Sequence, residues 1–295
     1  MGQKIYKTAL IFEGGGMRES FSAGVTTVLM DEGLEFQYMT GISAGACSCV
    51  NYMSQDRDRV KKTFVDFAAD PNIGGWSSFF KGEGYFRSRY IYLESGMKGR
   101  ALPFHFKEFY QNPADLRIGA FDVESGELVY WKKADMKKPI DMMKMVCASS
   151  SLPLFMPMTK IDGRLYIDGG IGNGIPLDIA QADGYDRFVI ITTRTKDYVK
   201  SPVKHEHLLK RMFREYPKVV DAMLHRHVAY NETRGQISRL EAEGKAFVFY
   251  PDYMDIENKE RDVIKLQAKY DMGYRQAREA MPSLLEFLRN GEVDE

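Results

Sequence analysis

Residues 35–53, EFQYMTGISAGACSCVNYM, join a short apolar run to a run of small side chains through the pentad Gly41-Ile42-Ser43-Ala44-Gly45. EFQYMTGIS reads as a strand, and the small residues of AGACSCVNYM suit a helix packed closely on a sheet. The same order stands upstream. TALIF is a strand, FEGGGMRESFSAG at residues 12–24 opens with a glycine loop, and Phe21, Val25, Val28 and Leu29 follow at helical spacing. Gly33 marks the end of that helix. Two successive strand, loop and helix units predict an α/β fold in which a mostly parallel sheet is covered by helices.

The chain of 295 residues is 44% apolar and 28% charged, ordinary values for a globular protein with a sizeable core. Lys plus Arg equals Asp plus Glu at 41 each, so no net field argues for a nucleic-acid partner. The opening MGQKIYKTALIF has too short an apolar run for a signal peptide, and no run of about 18 apolar residues marks a membrane span. Tyr6 stands where an acylation signal has Ser or Thr. A soluble, cytoplasmic protein is the expectation. Cys47, Cys49 and Cys147 form no metal-type or redox-type spacing, and their odd number argues against a disulfide scaffold. Reduced, buried thiols are expected.

Residues 72–110 interleave glycines with aromatics. Trp76, Phe79, Phe80, Tyr85 and Phe86 are candidates either for the wall or lid of an apolar cleft or for closure of the core. LRIGAFDVESGELVYWKK reads as a hairpin turning at ESG, and TKIDGRLYIDGG as another turning at DGR. RFVIITTR and AFVFYP are further strands. The charged stretches 204–245 and 258–290 read as helices, the second interrupted at Pro282. No repeat, low-complexity tract or clear linker divides the chain. A single domain over residues 1–295 is expected, with a motif-bearing core at about 5–195 and a mainly helical extension at about 203–290.

A serine at a sharp turn between strand and helix lifts its hydroxyl above the sheet, and flanking glycines leave room for the neighbouring backbone. Ser43 is therefore a candidate nucleophile, and the N–H of Ala44 would point at a reacting carbonyl. Tyr166-Ile167-Asp168-Gly169-Gly170 sets a carboxylate at a strand end, which reads either as an ordinary turn or as a base beside the serine. A free aspartate, with a pKa of about 3.9, is a weak base at neutral pH and needs a close hydroxyl in a partly desolvated cleft. Gly14, Gly15 and Gly16 expose backbone N–H groups beside a helix start, suited either to a phosphate or to a transient oxyanion.

FEGGGMR, GISAG and DGG, in this order and each at a strand end, resemble the patatin-like phospholipases, serine acyl hydrolases that use a Ser–Asp dyad. ASSSLP at 148–153, leading to Phe155 and Pro157, is similar to the family's loop ahead of the aspartate strand, and residues 173–176 to the helix entry after it. The similarity spans about residues 5–195. It implies a three-layer α/β/α fold, with a C-terminal helical elaboration compatible with it. It also implies Ser43 as nucleophile, Asp168 as general base, and an oxyanion hole from the N–H groups of Gly14, Gly15 and Gly16, joined by Ala44. Arg18, Gly41, Gly45, Gly169 and Gly170 would support the site. Neither G-x-x-x-x-G-K-[ST] nor G-x-G-x-x-G fits residues 14–24, which favours the oxyanion over a nucleotide phosphate. The implied substrate is a phospholipid, a lysophospholipid or a neutral acyl ester, met during transient contact with a membrane surface. No metal and no cofactor are expected.

One position departs from the family. Glu19 follows Arg18 where the pattern has a glycine, and an anion there opposes the developing charge unless it turns outward or Arg18 neutralises it. Three alternatives follow. A lipid-binding or partner-binding pseudoenzyme on the same fold would carry Glu19 as its lesion. A transacylase would pass the acyl group to a lipid alcohol in place of water. A Ser–His–Asp esterase is permitted by chain order, since His205, His207, His225 and His227 follow Asp168. In that fold, however, the serine elbow comes after several strands, and these histidines lie in charged helical stretches that read as solvated faces.

Overall fold

A computed structural model describes residues 5–290; the opening MGQK, read above for leader and acylation signals, lies outside them. β1 (Ile5–Phe12) leads through the glycine loop and a 3-10 turn, Gly16–Arg18, into α1 (Glu19–Asp31). Gly33 ends that helix with φ +64°, and the Gly33 and Leu34 N–H groups donate to the carbonyls of Met30 and Leu29, both at 3.0 Å. This is a Schellman stop, which needs a residue that tolerates the left-handed region. β2 (Glu35–Ile42) and α2 (Ala44–Met53) repeat the unit.

An excursion then runs through α3 (Arg57–Phe64), α4 (Trp76–Phe80), a π-helical turn at Arg89–Glu94 and α5 (Phe106–Gln111). β3 (Asp115–Asp122) and β4 (Glu127–Lys132) form the first hairpin. α6 (Pro139–Ser149), β5 (Thr159–Ile161), β6 (Arg164–Asp168), α7 (Leu177–Ala182) and β7 (Phe188–Ile191) follow. The C-terminal part supplies α8 (Glu206–Met212), α9 (Pro217–Ala242), β8 (Ala246–Phe249) and α10 (Val263–Arg289).

β3, β2, β1, β7 and β8 pair in parallel, in that order, and β4, β5 and β6 add antiparallel pairings around β3. Side chains alternate across the sheet. Tyr6, Leu10 and Phe12 enter one core with Phe21 and Val25 of α1 and Met272 and Ala277 of α10. Ala9 and Ile11 enter a second with Leu177 and Ala180 of α7 and Tyr230 and Ile237 of α9. Helices thus cover both faces, giving three α/β/α layers.

The register around β3 positions the site. β2 pairs with β3 up to Ile42 opposite Gly119, and β6 pairs antiparallel with its last residues, Asp168 opposite Ala120. β4 pairs with β3 from Arg117 to Asp122 and overlaps both. A strand has two edges, so β4 takes one and β2 and β6 share the other, approaching head to head. Their C-terminal ends meet at neighbouring residues of β3.

Two helical expectations are corrected. Residues 204–245 form two helices with a break before Pro217, and α10 runs unbroken through Pro282. Pro282 removes one N–H donor, but Met281, Leu284 and Leu288 continue the buried stripe on either side and hold the helix on the core. The C-terminal part is also more than an appendage, because β8 extends the sheet beside β7 and α10 packs on α1. Among the described residues no helix is long and apolar enough to cross a membrane.

Candidate active site

Ser43 stands between β2 and α2 with φ +59° and ψ −128°, a conformation that costs an L-residue about 1–3 kcal/mol. The flanking glycines permit it. A Cβ at Gly41 would lie 2.3 Å from the carbonyl oxygen of Gly45, and one at Gly45 would lie 2.6 Å from that of Phe12. Two further bonds brace the turn: the Ser43 N–H donates to Ser149 Oγ at 2.8 Å, and the Ser149 hydroxyl donates to the carbonyl of Gly119 at 2.5 Å.

The Ser43 hydroxyl donates to Asp168 Oδ2 at 2.6 Å. Asp168 is held from two sides, its Oδ1 accepting from the Gly170 N–H at 2.7 Å and its own N–H donating to the carbonyl of Ser151 at 3.0 Å. Burial pushes its carboxyl above the ordinary aspartate value, against the opposing pull of the Ser43 hydroxyl, the Arg226 guanidinium and the Gly170 N–H. The carboxylate that accepts the Ser43 hydrogen bond is therefore one of raised basicity. His205, His207, His225 and His227 all lie on or beside α8 and α9, and among the described residues no histidine lines the cleft at Ser43.

That cleft, of about 140 Å³, is walled largely by apolar side chains, among them Val50, Ile73, Phe86, Ile91, Phe104 and Met143. Ser43, Ala44 and Gly16 lie on its lining. Of the five aromatics read as wall or lid, only Phe86 reaches it. Trp76 and Phe80 are 66% and 82% exposed, and with Phe79 they form an aromatic cluster facing solvent, which corrects the expectation for those side chains. Cys47 also lines the cleft, and all three cysteines are free.

The glycine loop differs from expectation at Gly14, whose N–H already donates to the carbonyl of Gly174 at 2.9 Å. Its donor is engaged by the turn after β6. Gly15, Gly16 and Ala44 carry backbone N–H groups with no such acceptor among the described residues. Glu19 turns neither outward nor toward Arg18. It is wholly buried, Ser48 donates to its Oε2 at 2.9 Å, and burial pushes its carboxyl up to about 8, which favours the neutral acid at pH 7. The anion feared from the sequence is thus disfavoured.

Ser149, Ser151 and Arg226 belong to this site and were not singled out from the sequence. ASSSLP marked a loop without saying which hydroxyl would brace the elbow. Arg226 carries no local signal, since it sits within the charged α9.

A family model described as Patatin-like phospholipase matches residues 10–181, and a second, the domain of unknown function DUF6363, matches residues 216–289. The Uncharacterized protein YjjU of Escherichia coli (strain K12) is 23% identical over 261 residues, 83% of this chain and 68% of that protein. The Probable lipid hydrolase 463L of Invertebrate iridescent virus 6 is 24% identical over 194 residues, 60% of this chain and 64% of that one. Among solved structures, VipD from Legionella pneumophila superposes with a TM-score of 0.52 at 12% identity, over 94% of this chain and 67% of its own, a likeness of fold.

Proposed function

The chain belongs to the patatin-like phospholipase family, and on that premise we propose that it is a serine acyl hydrolase cleaving acyl esters of lipids, with Ser43 as nucleophile and Asp168 as its base. The observation that carries this reading is the 2.6 Å hydrogen bond from Ser43 to a buried carboxylate at the head of an apolar cleft. The viral relative, whose printed name is that of a lipid hydrolase, supports the same class of reaction.

Asp168 accepts the Ser43 proton as Oγ attacks the ester carbonyl. The carbonyl oxygen becomes an oxyanion beside the N–H groups of Gly15, Gly16 and Ala44, donors of a kind worth about 3–4 kcal/mol each. The bond to the alcohol breaks, and the proton on Asp168 passes to the departing oxygen. Water then gives its proton to Asp168 and attacks the acyl carbon; Ser43 leaves, recovers the proton, and a fatty acid is released. The acyl chain lies in the apolar cleft, and the alcohol lies on the side of Asp168, which must reach its oxygen. Burial of Glu19, which favours its neutral form, supports an active site over a dead one. The exposed cluster of Trp76, Phe79 and Phe80 supports transient contact with a lipid surface, where aromatic side chains insert readily.

Fluorophosphonate labelling of wild-type and Asp168→Asn protein, with mapping of the modified residue, tests the dyad. The expected result is labelling at Ser43 whose rate falls about 10²- to 10⁴-fold in the variant. A folded wild-type protein that does not label would overturn the hydrolase reading, and labelling undiminished in the variant would place the base elsewhere.

A further inference from the structure

β1 continues through α1 on one face of the sheet, whereas β7 continues through α8 and α9 toward the other face. The loops after β1 and β7 therefore diverge, and the crevice between diverging loops at the carboxyl ends of strands is where open α/β sheets bind ligands. Arg18 comes from the first loop, Arg194 and Lys200 from the second, and Arg226 from α9. Two aromatic rings back them. The Arg194 guanidinium lies 4.4 Å over Tyr198 and the Lys200 ammonium 4.6 Å over Tyr230, with the two rings 6.1 Å apart. The Arg226 guanidinium lies against Gly170, 3.2 Å from where a Cβ would stand, and so beside Asp168.

Glu13 and Asp168 are the carboxylates near these charges, acting on Arg18 and Lys200 and on Arg226 respectively. Among the described residues, none of the four cations makes an ion pair. The two nearby carboxylates are already engaged, Glu13 by the Tyr230 hydroxyl at 2.5 Å and the Thr193 N–H at 2.6 Å, Asp168 by Ser43 and Gly170. Arg18 Nε and Arg226 Nε are buried without any acceptor. A buried donor left unpaired is costly, and four cations facing two occupied carboxylates leave a positive excess. Consistent with this, burial together with Arg226, Arg194 and Arg18 pushes the Lys200 ammonium down to about 7.

We propose that Arg18, Arg194, Lys200 and Arg226 form a binding site for a phosphate-class oxyanion beside the dyad. A tetrahedral anion with several acceptor oxygens meets guanidinium forks from different directions, as a planar carboxylate does not. The site stands without the catalytic reading; only its assignment to the alcohol part of the substrate rests on that reading. The anion is then either a phosphate carried by that alcohol or free phosphate.

Calorimetric titration of Ser43→Ala protein with inorganic phosphate, at fixed ionic strength, separates binding from turnover. Saturable binding is expected, weakened about tenfold or more in protein also carrying Arg194→Gln and Lys200→Gln, the loss expected for charge-assisted hydrogen bonds. Arg194→Gln alone serves if the combined variant does not keep its circular dichroism. Competition of inorganic phosphate with a short-chain lipid bearing a phosphate monoester assigns the site to the alcohol part; phosphate binding without competition assigns it to a free anion. Both support the site. Absence of binding by either probe to folded protein, or binding unchanged by the substitutions, would overturn it. Because fluorophosphonate labelling reads the dyad alone, failure here is distinguishable from failure of the proposed activity.

Discussion

Glu19 begins α1 in a place no water reaches, so its charged form is unsolvated and its carboxyl is pushed up to about 8 from an ordinary 4.5. The folded chain therefore holds a proton that the unfolded chain has lost across that window. Stability contributed by the neutral acid is full below about 4.5 and is lost as pH rises through about 8, at up to about 1.4 kcal/mol per pH unit. Glu19→Gln keeps an acceptor for Ser48 and removes the titration. Its Tm should exceed that of wild type by a margin that grows between pH 5 and pH 8; a margin independent of pH would mean that Glu19 is already ionised in the fold. The same residue shows what sequence reading cannot supply. A carboxylate beside an oxyanion loop is an electrostatic obstacle on paper, and only its burial, set by the packing of α1 on α2, decides its charge.

α1 and α10 cross where neither helix has a side chain in the way. A Cβ at Gly24 would lie 2.0 Å from the carbonyl oxygen of Tyr270, and one at Gly273 would lie 2.0 Å from that of Phe21. Backbone oxygens cannot swing aside as side chains do, so Gly273→Ala must separate the helices. A loss of about 3 kcal/mol or more is expected, lowering Tm by several degrees, and thermal unfolding checks it. Unchanged stability would show that the crossing is looser than drawn. For α4, exposure of Trp76 and Phe80 predicts that replacing both by Ser lowers turnover of a vesicle-borne ester several-fold more than that of a soluble ester. Equal losses on both would return these rings to the support of the cleft.

At the scale of the molecule, the stretches matched by two family models share one sheet and one core: β8 joins β1 through β7, which lies between the two stretches, and Leu284 and Leu288 of α10 lie in the cluster that holds Leu10 and Phe21. We propose that they fold as one cooperative unit. Truncation after residue 204 should leave β7 an open edge and strip α1 of its cover, giving insoluble or molten protein by near-UV circular dichroism. A sharply melting fragment would instead mark an independent N-terminal domain. The alternation of apolar runs with glycine turns settled the strand, loop and helix units, the mostly parallel sheet and the positions of Ser43 and Asp168, because each depends on neighbours within a few residues. The meeting of β2 and β6 on one edge of β3, the occupied N–H of Gly14, the protonation of Glu19 and the gathering of Arg18, Arg194, Lys200 and Arg226 were decided by the tertiary structure. Each of these depends on distance, burial or charge among segments far apart in the chain, quantities that exist only once the layers have packed.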